Sequence, residues 1–188
     1  MKDQQLVQAA FKLVQAADKM ADANLPEKLA DIVKLHAKIA VGGAVLPIPG
    51  ADIAVTATNI WTMYARINKG LDLPFSENVV KSVAAGFVTN LGVGLIAFLV
   101  AASAVKAVPG LGWLGGAALM AGTIYGLTIA AGIVYMNAIA RLLEKKSASS
   151  IGEQDIKTAV KEEMKDQDAL RATIKAAGEE HKKDNGKK

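Results

Sequence analysis

The sequence predicts an all-α protein, a helical membrane protein with a central hydrophobic helical hairpin flanked by amphipathic helices. Three observations lead to this fold class. Apolar residues recur at the three- and four-residue spacing of a helix face near both ends of the chain. Two long runs in the middle carry no charged side chain, and proline and glycine punctuate the segments. Aromatic residues make up only 5% of the chain, so its apolar character comes mainly from aliphatic side chains and suits closely packed helices.

The first part of the chain, residues 1–45, is predicted to form two amphipathic helices. Apolar side chains fall on one helix face from Leu6 to Met20. A second helix is predicted from about Leu25 to Val45, with Asn24 as its N-cap and Pro26 in its first turn. Both helices would offer an apolar face for packing against the rest of the molecule.

A proline-rich break, LPIPGADIAV at residues 46–55, separates the second helix from a third. Pro47 and Pro49 lack N–H donors and disrupt a helix interior, whereas Pro49 fits the first turn of a new helix. Together with Gly50 they form the first predicted hairpin turn. Asp52 then falls in the first turn of the third helix, where the helix dipole favours a carboxylate by about 0.3–1 kcal/mol.

The third helix is predicted to end at Gly70, and Ser76 is a predicted N-cap for the segment that follows. Residues 82–105 then form a run of 24 residues without a charge. As a helix this run would be roughly 36 Å long, against roughly 30 Å for the hydrocarbon core of a bilayer. A turn containing Pro109 and Gly110 follows.

The second charge-free run extends to residue 140, and its best spanning segment is Leu114 to Met136. A charge-free helix can be either a membrane span or the centre of a water-soluble bundle, and we expect insertion because the first run is apolar on all sides. Residues 39–65, interrupted by the prolines, are predicted to re-enter the membrane or to lie on its surface. Basic residues flank the hairpin at Lys81 and at 141–146, which predicts that both termini lie in the cytoplasm. Together with the resemblance described below, this gives a bacterial inner membrane as the predicted location.

The central hydrophobic hairpin domain, residues 46–146, is followed by a polar amphipathic helix at 147–177. Ser150 and Glu153 have the spacing of a capping box at its start. The last residues, 178–188, have nothing to bury and are predicted to be a disordered tail. A narrow apolar stripe on the polar helix comprises Ile156, Val160, Met164, Leu170 and Ile174.

The composition argues against most kinds of chemistry. The chain has no cysteine, which excludes disulfides, thiolate catalysis and thiolate zinc sites. It has no phosphate-binding loop, and neither His36 nor His181 has a partner at metal-ligand spacing. The formal net charge of +4 comes from well-mixed charges rather than a basic arm, so no nucleic acid is expected. We therefore predict no enzyme, no cofactor and no metal site.

One polar series on the third helix is a candidate functional face. Its members are four, three and seven residues apart, so they lie near one face of the helix in an apolar setting, where polar groups often mark a pathway, a pairing or a binding contact. The alternative is that the first member only caps the helix and the last only reaches interfacial water. The series consists of Asp52, Thr56, Asn59 and Arg66.

Small residues repeat at four-residue spacing on both arms of the predicted hairpin. Such faces let helix backbones approach closely in lipid. Contact within the hairpin is one interpretation, and a dimer face, which would make the protein a homo-oligomer, is the other. The predicted packing face comprises Gly86, Asn90 and Gly94 on the first arm and Gly122, Gly126 and Ala130 on the second.

Two stretches, LPIPGADIAVTATNIWTMYARINKGLDLPFS and KAVPGLGWLGGAALMAGTIYGLTIAAG, resemble an uncharacterised helical domain of YcjF-type membrane proteins and of the C-terminal regions of Era-like GTPases. The resemblance covers residues 46 to about 132 and rests on turn and packing positions. It implies a bacterial membrane-associated helical domain of unknown function, in which Asp52 matches the family's Asp position without a catalytic role. A GTPase domain is absent from the sequence, so a nucleotide-dependent role would need a separate GTPase as a partner.

The predicted function is that of a non-enzymatic scaffold embedded in the membrane, which binds a copy of itself or a partner through its cytoplasmic helices. An alternative is a soluble helical bundle that hides its hydrophobic hairpin and inserts it on demand, as pore-forming domains do. The amphipathic segments Leu6–Met20 and Ile156–Ile174 would then cover the hairpin. A third possibility is an adaptor for a GTPase encoded elsewhere.

Overall fold

The computed structural model describes residues 2–44, 51–90 and 113–166, and these residues form an all-α fold. The predicted all-α class is confirmed: in the described ranges the chain forms six α-helices and one short 3₁₀ turn, without a strand. The helices are α1 Lys2–Asn24, α2 Glu27–Ala44, α3 Ala51–Gly70, α4 Glu77–Asn90, α5 Trp113–Leu143 and α6 Glu153–Asp166.

The junction between α1 and α2 differs from the predicted one. Asn24 was expected to cap the start of α2, but its side-chain amide donates a hydrogen bond to the carbonyl of Met20, 2.8 Å away, inside α1. The backbone of α1 continues because the Leu25 N–H bonds the carbonyl of Ala21. The first helical hydrogen bonds of α2 are instead accepted by the carbonyl of Pro26, which has no N–H to leave unsatisfied.

The end of α3 and the start of α4 agree with the sequence-based prediction. α3 ends at Gly70, and Asp72, two residues later, has a φ of 49°, a left-handed conformation that reverses the chain. Ser76 caps α4, because its hydroxyl accepts the N–H of Val79 at 3.4 Å and its carbonyl accepts that of Val80 at 3.1 Å.

The start of α6 is capped by a different residue from the one predicted. Ser150 was expected to act as the N-cap, but it belongs to a 3₁₀ turn and its hydroxyl bonds the carbonyl of Ser147. Gly152 takes the cap position, since its carbonyl accepts the N–H of Ile156 and its own N–H donates to the carboxylate of Asp155 at 3.0 Å. The reciprocal bond of a capping box is therefore made from Asp155 and not from Glu153.

The long helix α5 lies in the middle of the molecule. It packs most extensively on α1, then on α2 and α6, with a smaller contact to α3. Residues from all six helices contribute to a single hydrophobic core. The largest fully buried side chains are Tyr64, Tyr135, Phe87, Ile60, Met63, Ile67, Met120, Ile124, Ile129, Ile133, Ile139 and Ile156.

The direction of each helix follows from the contacts. Within α2 and α3, His36 pairs with Asn59 whereas the earlier Ile32 lies against the later Gly70, so these two helices are antiparallel. α4 packs on α3 after a short connection and therefore returns in the opposite direction. The last turns of α2 and α4 thus lie at the same end as the first turns of α3.

The start of α5 lies at this end as well. Tyr64 bonds the carbonyl of Ala131 and Tyr135 bonds Asn68, so residue numbers rise together along α3 and α5. Between Lys38 and Arg66 the sequence has one charge, and between Lys106 and Arg141 it has none. We call this end of the bundle, formed by the last turns of α2 and α4 and the first turns of α3 and α5, the charge-poor end.

Candidate membrane-interaction site

Among the described residues, one helix is long and apolar enough to cross a membrane. This segment of α5, Leu114–Leu143, has a mean hydropathy of 1.8 over its best window. It contains the predicted span, Leu114 to Met136, and extends it to the basic residue Arg141. However, 83% of the window is buried inside the protein itself. The other arm of the predicted hairpin falls largely on residues 91–112, outside the described residues.

Two glycines let the surrounding helices approach α5 closely. A Cβ atom on Gly122 would lie only 2.9 Å from the carbonyl oxygen of Ala10 and 3.0 Å from its Cα, so the backbones of α1 and α5 touch there. On the other side, a Cβ on Gly132 would lie 2.5 Å from a methyl group of Val33 in α2. Either glycine allows a contact that any larger residue would push apart.

Aromatic and amide groups attach α5 to α3. The rings of Tyr64 and Tyr135 stack with centroids 4.0 Å apart, and both side chains are fully buried. Each hydroxyl still has an acceptor, since Tyr64 donates to the carbonyl of Ala131 at 3.1 Å and Tyr135 to the side-chain oxygen of Asn68 at 2.7 Å. Satisfied hydroxyl groups make this stack compatible with a dry core. The sequence analysis did not find it.

Charged partners hold α5 on two further sides. The Tyr125 hydroxyl donates a hydrogen bond to the carboxylate of Asp18 in α1. Near the end of α5, Arg141 makes an ion pair with Glu163 of α6, with nitrogen and oxygen 2.6 Å apart. Glu163 is buried, so removal of Arg141 would leave a carboxylate without this cation in a poorly hydrated place. The C-terminal end of α5 is thereby tied to α6.

The two described members of the predicted polar face of α3 have different surroundings. Asn59 is buried and faces α2, where its amide donates to the backbone carbonyl of His36 at 2.7 Å and its oxygen pairs with the imidazole Nδ1 at 2.8 Å. Arg66 is exposed. The backbone at Asp52 and Thr56 belongs to α3, while their side chains lie outside the described ones. Asn59 therefore makes a buried contact between α3 and α2, and the functional role of the series stays a prediction.

The predicted small-residue face is also divided. Gly122, Gly126 and Ala130 are buried on α5, but the close approach at Gly122 is to α1 rather than to the other arm of a hairpin. On α4 a Cβ added to Gly86 would meet nothing within 4 Å, and Asn90 is exposed with its amide on the carbonyl of Gly86. The predicted turn and packing positions outside the described residues are Pro47, Pro49, Gly50, Gly94, Pro109 and Gly110.

A groove of about 320 Å³ lies between α4 and α6. Its floor includes the buried side chains of Val83, Phe87 and Val160, and Gly86 leaves space above them. Three lysines at four-residue spacing, 157, 161 and 165, lie along the α6 side. The groove therefore lies above closed apolar packing and has a basic rim along α6.

Large apolar side chains are exposed along the half of α1 that packs near the start of α5. Val7 is 46% exposed and Phe11 63%, both on α1, and Leu114 in the first turn of α5 is 64% exposed. On α2, Leu35 and Ile39 are exposed one turn apart. Surfaces of this kind, next to a charge-poor end, are typical of proteins that contact lipid or other proteins.

Within the described ranges, no group of three or more His, Asp or Glu side chains is placed to hold a metal ion. His36, the histidine among these residues, is only 2% exposed and is engaged with Asn59. Burial lowers the pKa of His36 below its ordinary value of 6.5, and the nearby positive charge of Arg66 acts in the same direction, whereas the bond to Asn59 opposes them.

Comparison with known proteins gives one informative relative. Over 87 residues the chain is 32% identical to magnetosome membrane protein 22 of Magnetospirillum gryphiswaldense. The match covers 45% of this chain and 43% of that protein, so it spans less than half the length of the relative. No protein-family model matches the chain, and no solved structure matches it significantly.

Proposed function

We propose that the protein is a non-enzymatic, membrane-associated helical scaffold that meets the bilayer with its charge-poor end. The observation that carries the proposal is α5, a helix long and apolar enough to cross a membrane that begins at this end. The similarity to a magnetosome membrane protein supports membrane association, and exposed Phe11 and Leu114 would add apolar contact area. The opposite end of the bundle, which carries Lys28, Lys69 and Glu77, would face the cytoplasm.

Fractionation tests membrane association itself. The full chain is expected in the membrane fraction, and a chain that embeds apolar helices resists a carbonate or urea wash that strips proteins held by charge alone. Recovery in the soluble fraction before any wash would contradict the proposal. The outcome of the wash separates an embedded scaffold from one that is bound at the surface.

The topology can be tested with a single added thiol, since the chain has no cysteine of its own. A Lys106→Cys variant in intact spheroplasts would react with a membrane-impermeant maleimide from outside if the hairpin spans the membrane. A surface-bound protein would leave the thiol unlabelled until the cells are opened. Gln8→Cys on the exposed side of α1 is the matched control and should be protected from outside in both cases.

A second candidate is conditional insertion, in which a soluble bundle releases α5 into the bilayer. The observation that favours it is the 83% burial of the apolar window of α5 by the protein's own helices. In water such burial removes the driving force for insertion, so release from α1 and α2 would have to come first. This candidate predicts a detergent-free protein that permeabilises vesicles.

A disulfide between α2 and α5 distinguishes the two candidates. A Cβ on Gly132 would lie 3.2 Å from the Cβ of Val33, close to the roughly 3.5–4.5 Å of natural disulfides. The double variant Val33→Cys/Gly132→Cys also removes the methyl groups that would collide. Under conditional insertion, the oxidised form should lose vesicle leakage and regain it on reduction, while the scaffold should bind membranes equally in both states. The single variant Val33→Cys controls for the substitution.

Two partner predictions accompany the proposal. Self-association is predicted from the small-residue faces, and a separate GTPase from the resemblance to YcjF-type and Era-like proteins. Cross-linking in membranes followed by identification of the linked species tests both. A homogeneous monomer with no co-purifying nucleotide-binding protein would contradict them and leave membrane association unaffected.

A further inference from the structure

The groove between α4 and α6 lies next to the end of the bundle that the proposed function directs toward the bilayer. Ser82 in the second turn of α4 lies close to the carboxylate of Glu153 at the start of α6, and the groove extends along α4 as far as Asn90 and along α6 as far as Lys165. Asn90 is the last described residue of α4 and lies toward the charge-poor end. Lys165 is therefore on the side of the groove nearer to this end, while Glu163 beside it pairs with Arg141 near the C-terminal end of α5.

The charges along the groove are mainly positive. Lys157 pairs with Glu153 at 2.6 Å, whereas no ion pair of Lys161 or Lys165 occurs within the part of the chain that the structure describes. Glu162 is the acidic residue on the rim, and it lies 3.9 Å from a guanidinium nitrogen of Arg141. Two lysines on the rim of the groove thus remain to meet an anion.

The size and the floor of the groove restrict what can occupy it. A volume of about 320 Å³ is at the small end of the roughly 300–1,000 Å³ typical of ligand sites. Val83, Phe87 and Val160 close the groove from below and are at most 3% exposed, so they offer little contact area to a ligand. The lysines on the rim would suit a phosphate. A phosphate-bearing headgroup therefore fits a groove of this size and charge.

We propose that the α4–α6 groove binds the headgroup of an anionic phospholipid, with Lys161 and Lys165 on the phosphate and the rest of the headgroup in the open space beside Gly86. The inference rests on the proposed membrane association and adds a lipid preference to it. Lysines near an anionic leaflet each strengthen binding, and a defined groove between helices adds selection for the headgroup.

Vesicle co-sedimentation with the full chain tests the proposal. Phosphatidylcholine vesicles are compared with vesicles that also contain phosphatidylglycerol. Lys161→Gln/Lys165→Gln should weaken binding to the anionic vesicles by about 25-fold, at about fivefold for each lysine near the surface. The control Lys28→Gln/Lys69→Gln removes the same charge from exposed sites at the opposite end and should change binding less than about twofold.

A second variant fills the groove without altering any charge. Gly86→Leu places a side chain where a Cβ meets nothing within 4 Å, so binding to anionic vesicles should fall at least about tenfold. The thermal unfolding temperature should stay equal or rise, because leucine is a better helix former than glycine. Gly70→Leu is the matched control, since a Cβ there meets only a methyl carbon of Ile32 at 3.9 Å and the residue ends α3, at the end of the bundle opposite the charge-poor end.

The possible outcomes separate the two proposals. Failure of the wild type to bind any vesicle would contradict membrane association and the lipid site together. Wild-type binding that is equal on both vesicle types, or that Gly86→Leu leaves unchanged, would overturn the groove alone. Release from vesicles by inorganic phosphate, but not by chloride of equal ionic strength, would indicate a soluble phosphate ligand instead. A marked loss of stability in Gly86→Leu would indicate that the chain itself fills the groove, and would also overturn the proposal.

Discussion

At the scale of single residues, the pair formed by His36 and Asn59 explains why polar groups occur in an otherwise apolar contact between α2 and α3. The Asn59 amide donates to the His36 carbonyl, so its oxygen is left to accept, and the imidazole must donate from Nδ1. The imidazole Nε2 is then an unprotonated nitrogen, buried without a hydrogen-bond partner. Such a nitrogen tolerates burial better as a lone pair than as an N–H.

We predict that stability falls on acidification because of His36. Its pKa is lowered in the folded state by burial and by Arg66, so the unfolded chain takes up a proton near the ordinary value of 6.5 while the folded chain resists it. The stabilising contribution is complete above this value and is lost as the pH decreases below it, at up to about 1.4 kcal/mol per pH unit. Urea unfolding between about pH 7.5 and about pH 5.5 measures the slope.

The control for this titration is the other histidine. His181→Gln should retain the full pH dependence, whereas His36→Gln should flatten it over the same range, whatever its effect on stability at neutral pH. An equal slope in wild type and His36→Gln would show that other groups cause the acid sensitivity.

Asn59→Ala tests whether the buried asparagine is structural. The change removes partners from the His36 carbonyl and from Nδ1, and we expect it to lower the free energy of unfolding by about 2–3 kcal/mol. Thr58→Ala, one residue earlier and exposed, should change it by less than about 0.5 kcal/mol. Chemical denaturation followed by circular dichroism compares them. A cost below about 1 kcal/mol for Asn59→Ala would mean that water replaces the lost partners.

At the scale of helices, the glycines of α5 and α4 have opposite roles. Gly122 allows the backbones of α1 and α5 to touch, whereas Gly86 has open space beside it. Glycine in a helix interior is unfavourable relative to alanine unless a close contact requires it. The same substitution should therefore change stability in opposite directions at the two positions.

Gly122→Ala should destabilise the protein by about 1–3 kcal/mol, because the new methyl group meets the backbone of Ala10, which cannot rotate away. Gly86→Ala should stabilise it by about 0.5–1 kcal/mol through helix propensity. Denaturant midpoints measured under the same conditions give both values. Two changes of the same sign would contradict the packing of α1 on α5 described above.

At the scale of the whole molecule, α5 is at once the helix most able to cross a membrane and the helix most enclosed by others. An apolar helix is more stable in a protein core or in a lipid core than in water, since both exclude water. The charge-poor end suggests how the molecule is oriented toward the bilayer, because turns with few charges from four helices lie together there. Contact with lipid at this end requires no rearrangement, whereas insertion of α5 does.

Amide hydrogen exchange can reveal where the molecule is most stable. Without lipid, we expect the slowest exchange in the middle of α5, from about residue 123 to 135, where the surrounding helices are closest. The exposed turns of α6 should exchange faster. Rapid exchange throughout α5 in a detergent-free, folded protein would contradict its position in the core.

Sequence reasoning succeeded where local chemistry decides structure. It found the third helix ending at Gly70, the cap at Ser76 and the apolar character of α5, because turn residues and periodicity act over a few neighbours. It misplaced the caps of α2 and α6, since Asn24 and Ser150 had equally good partners within the preceding turn.

The candidate polar face shows that helical spacing alone does not predict whether a side chain is buried. Asn59 and Arg66 have the spacing of one helix face, yet one is buried against α2 and the other is exposed. Helical spacing relates residues to the helix axis, whereas burial depends on which neighbour lies beside each turn. The basic row on α6 was visible in the sequence, but its groove appears only when α4 packs beside it.

The sequence by itself determined that the chain is helical and that its middle is apolar enough for a membrane, because composition and periodicity measure the affinity of each segment for water. Only the tertiary structure decided what covers that apolar surface. Contacts at Gly122 and Gly132 depend on residues far away in the sequence, and they place α5 among the protein's own helices. Whether α5 stays among these helices or enters lipid depends on the difference in free energy between the two environments. That difference depends on the packing of the whole molecule and cannot be derived from the sequence of α5 alone.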